Sequence, residues 1–560
     1  MDKTVGVLGG GQLGRMLVEA ANLLEIKVNF VDAGLSSAKQ VSNHANHIDG
    51  SFKDAEAVKN LAATSDVVTI EIEHVNTQIL EEIANTGSDV QPSWRTIRTI
   101  QDKYLQKQHL AAHDVETAES LSLASASVAD LEKAARALGL PLMLKSRREA
   151  YDGKGNFPVK STDDFKPALE ALGANKDLYA EKWAEFRMEL AVMVVKTKDE
   201  VLSFPTVETV HENSICKLTY APARGVSKQV NEAAQALARK AVAAFGEGKG
   251  VFGVEMFLLP NDKLLINEIA PRPHNSGHYT IEACPVSQFE AHLRAILDLP
   301  LRAEDLQLRE PSIMLNILGG NEPDSHRKFA AEALKHRWTK IHLYGKGQAR
   351  KGRKMGHVTV CASSMSEAEA IVQPLIDYID KANGKTVTSS QPKKQPLVAV
   401  VMGSDSDLPV LKPGLAVLDK FGIQYECRVT SAHRTPRWMA QYASSAAMHG
   451  FKVIIAAAGG AAHLPGMTAA YTPLPVIGVP VKPSIGDGMD SLLSICNMPK
   501  GVPVATVSVN NSVNAALLAA RILGSADMVV RDRVQQYMAD SEEEVLKKDA
   551  KLYEVGHDKY

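Results

Sequence analysis

Apolar and polar positions along the chain group into short continuous runs separated by stretches of helical spacing. Residues 4–8 form an apolar run, 15–24 have helical periodicity, and 27–31 form a second apolar run ending at Asp32, which predicts a strand-helix-strand unit. Residues 67–73, 140–145 and 178–183 read as further strands. Residues 251–259 and 263–269 are two more, and Pro260-Asn261-Asp262 between them predicts a hairpin. Strict alternation puts Gly253, Glu255 and Phe257 on one face of its first strand, and Leu264, Ile266 and Glu268 on one face of its second. Residues 381–396 lack apolar periodicity and are rich in Ser, Thr, Lys and Pro, which predicts an interdomain linker. Beyond them, 397–402, 425–429 and 453–457 read as strands, each followed by a loop of small and polar residues, the pattern of a second doubly wound sheet. Residues 529–560 read as a helix with Glu543/Lys547 and Glu544/Lys548 pairs at i,i+4.

A chain of 560 residues is too long for one core and predicts about three to five domains. Its net charge of -2 gives no reason to expect nucleic acid or an anionic membrane as partner. Five scattered cysteines without a Cys-x-x-Cys pair argue against a zinc ribbon or a disulfide framework and favour a reducing compartment. With no signal-like start and no apolar run of about 18 residues, a cytoplasmic location is expected.

The chemistry lies where polar groups interrupt these patterns. Carboxylates inside apolar strands are costly unless compensated. Glu255 and Glu268 therefore either hold a divalent cation, with Mg2+ apt because it takes few protein carboxylates, or face solvent, or pair with Arg272. Gly9-Gly10-Gly11-Gln12-Leu13-Gly14 with Asp32 matches the dinucleotide fingerprint, and alone favours a nicotinamide oxidoreductase. The same loop suits any phosphorylated ligand, or merely packs helix on strand. Glu73 and His74 end the third strand, where such sheets bind ligands, and His44 and His47 read as surface residues. Residues 147–156, RREAYDGKGN, form a basic glycine loop that fits over phosphates or is a surface turn. The cationic cluster at 344–357 suits a solvated hairpin or a nucleic-acid patch. In the second half, loops 403–407, 431–436 and 459–466 converge at strand ends, although their hydroxyls could also be helix caps. His433 there is a candidate proton carrier, because imidazole titrates near neutrality. His463 is as readily a bystander in a loop that works through its backbone.

VEMF at 254–257, followed by LLINEIAPRPHNSGH at 264–278, resembles the metal-binding hairpin and adjoining loop of ATP-grasp ligases. The stretch 270–278 resembles more narrowly the ATP-dependent synthetase that carboxylates aminoimidazole ribonucleotide. SAHRTP at 431–436, GGAAHLPG at 459–466, 475–480 and 511–518 resemble the mutase that completes that carboxylation. The whole chain is thus similar to the bifunctional phosphoribosylaminoimidazole carboxylases of fungi and plants. The resemblance implies an α/β chain: a pre-ATP-grasp doubly wound domain (1–105), an ATP-grasp core (106–305), a small C-terminal module (306–380), the linker (381–396), and a flavodoxin-like three-layer α/β/α mutase domain with its helical tail (397–560).

It also implies roles. Lys103, Lys145, Tyr151, Asp152, Gly153, Lys154 and Gly155 would meet ATP phosphates, and Glu181, Lys182, Trp183 and Ala184 the adenine through the hinge backbone. Glu189 would take the ribose, His211 would lie near the nucleotide, and Asn267, Glu268 and Glu255 would serve ATP and its metal. Gly11, Gln12, Leu13, Glu73, His274, Asn275, Lys346, Arg353 and Lys354 would bind the ribonucleotide, the last three through its 5′-phosphate. In the mutase part Ser404, Ser406, Asp407, Ser431, Arg434, Gly459, Gly460, Ala461 and His463 would hold substrate, with His433 as catalyst. ATP, Mg2+ (Mn2+ as an alternative) and bicarbonate are implied, NAD is not, and a homo-octamer through the mutase domain is expected.

Overall fold

The computed structural model describes residues 2–42, 44–149, 155–173, 177–212, 214–382, 396–447 and 449–560. Two compact units divide the chain, Met1–Thr388 and Ser389–Tyr560. Most of the expected linker, 383–395, lies outside the described residues.

The first unit opens with a five-stranded parallel sheet of β1 (Thr4–Leu8), β2 (Lys27–Asp32), β3 (Ile48–Asp49), β4 (Val67–Ile70) and β5 (Asp89–Val90), ordered β3-β2-β1-β4-β5. Val5, Val7 and Phe30 are fully buried, and Gly6 is required because any Cβ would meet Ser65 Oγ at 2.5 Å. His44 and His47 are not free surface residues. His44 Nδ1 lies 2.9 Å from Asn29 Oδ1, and His47 Nδ1 accepts the Phe30 amide at 3.2 Å, so both brace β2.

Next comes a four-stranded antiparallel sheet of β6 (Ser120–Ser122), β7 (Leu142–Ser146), β8 (Asn156–Val159) and β9 (Leu178–Lys182). A nine-stranded antiparallel sheet follows. It contains β10 (Met188–Lys196), β11 (Val201–Ser203), β12 (Val207–Glu212), β13 (Ile215–Ala221), β14 (Gly250–Leu258), β15 (Leu264–Ala270), β16 (Ser312–Leu318), β17 (Thr339–Leu343) and β18 (Lys354–Cys361). Its order is β15-β14-β10-β12-β13-β16-β18-β17, with β11 paired to β10, so β13 and β16 bond directly and the sheet runs on into the small third module.

The second unit is a five-stranded parallel sheet of β19 (Val398–Met402), β20 (Tyr425–Val429), β21 (Val453–Gly459), β22 (Val476–Val481) and β23 (Ala505–Thr506), ordered β20-β19-β21-β22-β23. Helices pack on both faces: one core joins β19, β21 and β22 to helix Ser512–Gly524, and the other joins them to Met439, Tyr442 and Leu464. This is the flavodoxin-like three-layer arrangement. The tail is a helix, Met528–Val555, carrying both expected ion pairs, at 2.6 and 2.5 Å.

Candidate active sites

The β14–β15 hairpin places Glu255 directly across from Glu268, but not by strict alternation. A bulge opposite the Glu255–Met256 step adds one residue, Asn267, so Ile266 pairs with Met256 while Glu268 pairs with Glu255. Glu268 therefore leaves the face of Leu264 and Ile266, which stay in the core, and Asn267 and Glu268 are both half-exposed toward the site. Burial, reinforced by the facing Glu268, pushes the Glu255 carboxyl up to about 7. Glu189, Thr209, His211, Glu255, Met256 and Asn267 line a small cleft. His211 Nδ1 lies 2.5 Å from Glu189. Burial pulls that histidine's pKa down, but Glu189 and Glu255 outweigh it and raise it. His274 Nδ1 approaches Glu255 to 3.7 Å, and Lys103 Nζ reaches Glu268 at 3.2 Å.

Glu181 is buried between two lysines, with Lys145 Nζ 3.0 Å from Oε1 and Lys107 Nζ 2.9 Å from Oε2. Burial alone would raise the Glu181 pKa, yet the two ammonium groups lower it. Burial of Lys107 outweighs Glu181 and lowers the lysine's pKa, because it shares that carboxylate with Lys145. The side chain of Glu181 is thus held within the protein, a role the hinge-backbone expectation lacked. Lys107 went unread in the sequence, although it stands at i+4 from Lys103 on the same helix, Lys103–Ala112, and also donates to the Asn267 carbonyl at 3.1 Å. Lys182 is exposed and lies 3.7 Å from Glu119; Trp183 and Ala184 follow it, half-buried. Gly155 gives its carbonyl to Ser146 N at 2.7 Å, whereas Tyr151, Asp152, Gly153 and Lys154 lie outside the described residues.

The glycine loop after β1 is already occupied by the chain's own carboxylates. Glu71 Oε1 accepts from Leu13 N at 3.0 Å and Gly14 N at 3.5 Å, and Asp32 Oδ2 accepts from Gly10 N at 2.8 Å. Gly11 has no Cβ to spare for this, since one would meet Glu71 Oε1 at 2.6 Å. The Leu13 amide is therefore already paired within the chain, and Asp32 turns back onto the loop. Gln12 opens the helix Gln12–Leu23 beside it.

Glu73 is buried on Arg272, whose Nε donates at 2.6 Å; burial opposes its charge, but Arg272 prevails and keeps it strongly acidic. The sequence offered Arg272 as a partner for Glu255 or Glu268; its close ion pair is with Glu73 instead. Gln288 clamps the His274 backbone from both sides, accepting its N–H at 2.9 Å and donating to its carbonyl at 2.8 Å. Asn275, expected at the ribonucleotide, is buried and pairs amide to amide with Asn316 at 2.9 and 2.7 Å. Burial raises the Glu71 carboxyl as it does that of Glu255, and from the third module Lys346 and Lys354 respectively act against that rise; Lys354 also opposes the raised pKa of His211. Lys346 Nζ donates to the Lys354 carbonyl at 2.9 Å, and Arg353 between them is exposed.

In the second unit the three loops meet at the carboxyl end of the sheet. His433 Nε2 and His463 Nδ1 lie 2.8 Å apart, with the rings edge to face. One nitrogen must carry a proton and the other must not, so the pair is asymmetric by construction. Arg434 Nη2 donates to the Gly403 carbonyl at 2.9 Å and Nε to buried Ser431 at 3.2 Å, which joins the first two loops. Ser404 N donates to Asp407 Oδ2 at 3.3 Å, and burial raises the Asp407 pKa. Ser491 Oγ accepts from Gly460 N at 2.9 Å, leaving Gly459, Ala461, His433, His463 and Ser406 exposed.

Family models match four successive stretches: a ribonucleotide synthetase preATP-grasp domain at 1–101, an ATP-grasp domain at 108–289, a phosphoribosylaminoimidazole carboxylase C-terminal domain at 312–371, and AIR carboxylase at 397–544. An ATP-grasp ligase joined to an AIR-carboxylase unit is the class of enzyme that this fold and these two sites define. A solved N5-carboxyaminoimidazole synthase from Aspergillus clavatus, in complex with ADP and 5-aminoimidazole ribonucleotide, is 61% identical over 68% of this chain and 99% of its own, with a TM-score of 0.66. Phosphoribosylaminoimidazole carboxylases of Candida albicans (51% identical, 100% of this chain, 98% of theirs) and Saccharomyces cerevisiae (50%, 100% and 99%) match end to end. The chain belongs to the phosphoribosylaminoimidazole carboxylase family, and is a carboxylating enzyme of purine biosynthesis. Among the described residues, no helix is long and apolar enough to cross a membrane.

Proposed function

We propose that the first unit uses ATP and bicarbonate to carboxylate the exocyclic amine of aminoimidazole ribonucleotide, and that the second moves the carboxylate to ring carbon 4. The observation that carries the first half is the facing Glu255–Glu268 pair, with the Glu255 carboxyl raised to about 7 by burial and by the facing Glu268. Mg2+ fits this donor set, since it takes one or two carboxylates and fills its remaining sites with water and phosphate oxygens. Glu255 and Glu268 would hold it, and when bound it would neutralise charge on the phosphates during transfer. Lys103 and Lys145 align the phosphates, Glu189 takes the ribose, and Lys346, Arg353 and Lys354 hold the ribonucleotide's 5′-phosphate. Arg272, with Glu73 and His274, lines the position for bicarbonate. Transfer of the terminal phosphoryl group makes carboxyphosphate, and attack by the amine releases phosphate and leaves the carbamate.

In the second unit the carbamate gives up CO₂ and ring carbon 4 recaptures it. His433 removes the carbon-4 proton and returns one to the amine, with His463 as its hydrogen-bond partner. Arg434, Ser404 and Asp407 fix the ribonucleotide. The enzyme works as a cytoplasmic homo-octamer built through this unit, and its exposed Val429, Trp438, Tyr471, Ile485, Met489 and Leu493 support self-association. The test is phosphate release with MgATP, bicarbonate and aminoimidazole ribonucleotide, omitting each in turn, while carboxylated imidazole is followed in the same tube. Release that needs all three and tracks product is expected. Product formed without ATP consumption would refute the role of the first unit.

A further inference from the structure

We infer that Arg147 and Asp102 act together as positioning residues that set Lys103 against the nucleotide phosphates, an inference that rests on the ATP site proposed above. Asp102 is buried at the N-terminus of helix Lys103–Ala112, where Oδ1 accepts the amides of Tyr104 and Leu105, both at 3.1 Å. Arg147, two residues past Lys145 at the end of β7, grips the same carboxylate with both tines: Nε to Oδ1 at 3.0 Å and Nη2 to Oδ2 at 2.6 Å. A third bond runs the other way, from Lys103 N to the Arg147 carbonyl at 2.8 Å. The guanidinium also lies 5.5 Å from the centre of the Tyr104 ring. Residues 102 to 105 are thus tied on every side to the strand end that carries Lys145. Lys103 emerges from this knot toward Glu268, and Lys145 from the other side toward Glu181. A fork held by two parallel bonds fixes direction as well as distance, which a single ammonium cannot do. An ion pair with only a structural role would have no reason to bind, through one arginine, both the side chain that caps the helix and the backbone of the lysine that starts it.

The test is a double-mutant cycle in the full chain, read as MgATP affinity by calorimetry. Arg147→Met should weaken MgATP about five- to tenfold in the wild-type background, and less than about twofold when Lys103 is already Met, because the interaction it sets is then gone. Arg147→Lys should recover only part of the loss. Asp102→Asn keeps a good helix cap but removes the charge, and should behave as Arg147→Met does. The second unit's conversion of supplied carbamate should be unchanged and the first unit should keep a cooperative thermal transition in all five variants, the double mutant included, which shows that both units are folded. Equal losses with and without Lys103, or no loss in Arg147→Met while thermal stability falls, would overturn the inference. Absence of ATP-dependent phosphate release in the wild type would instead overturn the site reading on which it rests.

Discussion

His292 should make the first unit acid-labile by an amount that can be worked out. It lies on helix Gln288–Ile296, 1% exposed, with Nδ1 accepting the Val251 amide at 3.1 Å and Nε2 2.9 Å from Thr69 Oγ1. Because Nδ1 accepts, the proton must sit on Nε2 and the ring is neutral, bridging β4 to the start of the hairpin strand β14. Burial lowers its pKa from 6.5 to about 4. The folded pKa is depressed, so between pH 6.5 and 4 the unfolded chain binds more protons, and stability falls as pH falls through that window. At about 1.36 kcal/mol per unit, the full loss is roughly 3 kcal/mol, with about 2 kcal/mol already gone at pH 5. His278 and His357, also held neutral by burial, add to the same fall, so the measurement has to be a difference. His292→Gln leaves the Val251 amide short of its acceptor and should cost about 1–3 kcal/mol at pH 7.5. It cannot titrate, so the gap between wild type and variant should narrow by about 2 kcal/mol at pH 5. Calorimetric scans at both pH values read this as a convergence of the first unit's transition by a few degrees. A gap that stays constant from pH 7.5 to 5 would refute the argument.

Glu255→Gln should abolish ATP-dependent phosphate release, yet stabilise the metal-free chain above pH 7, since a carboxyl raised from 4.5 to about 7 loses stability as pH climbs through that interval; melting curves with chelator check the second point. For the same reason Mg2+ competes with a proton there, and its affinity by titration calorimetry should rise between pH 6 and 8. Gly253→Ala would put a Cβ 2.4 Å from that of His274, so His274 must move, and synthetase turnover should drop tenfold or more while carbamate conversion by the second unit holds. His433→Asn should eliminate carboxylated imidazole while phosphate release continues, as followed by paired assays on one sample.

The elements that could be read in the sequence are those whose evidence is local. The β1 glycine loop, the hairpin strands, the parallel second sheet and the tail helix all follow from spacing and turn residues within a dozen positions. What escaped was set by partners far along the chain. Nothing near Asn267 announces the bulge that turns Glu268 to Glu255's face, because both residues read as ordinary strand positions until the register with Met256 is fixed. The glycine loop reads as an empty phosphate cradle because Glu71, which fills it, lies 58 residues from Leu13. Likewise Asn275 reads as a polar loop residue until Asn316 arrives on a strand 41 positions later. His463 could not be told from a bystander, since its neighbour His433 comes from a different loop. Lys107 is the exception: it went unread although its helical phase with Lys103 is a local signal.

The bond between β13 and β16 bears on how trimmed versions of this protein are to be judged. Leu218, Thr219, Tyr220 and Ala221 face Leu315, Met314, Ile313 and Ser312 along it. A polypeptide stopped near residue 305 would retain Lys103, Lys145, Glu255 and Glu268, but would lay bare a raw strand margin with Leu218 and Tyr220 alongside. Such margins recruit strands from other molecules. The last module is thus also a hem on the sheet, and a shortened chain should precipitate for want of it. Its silence in an assay would carry no information about whether Lys346 or Lys354 ever meets a ligand.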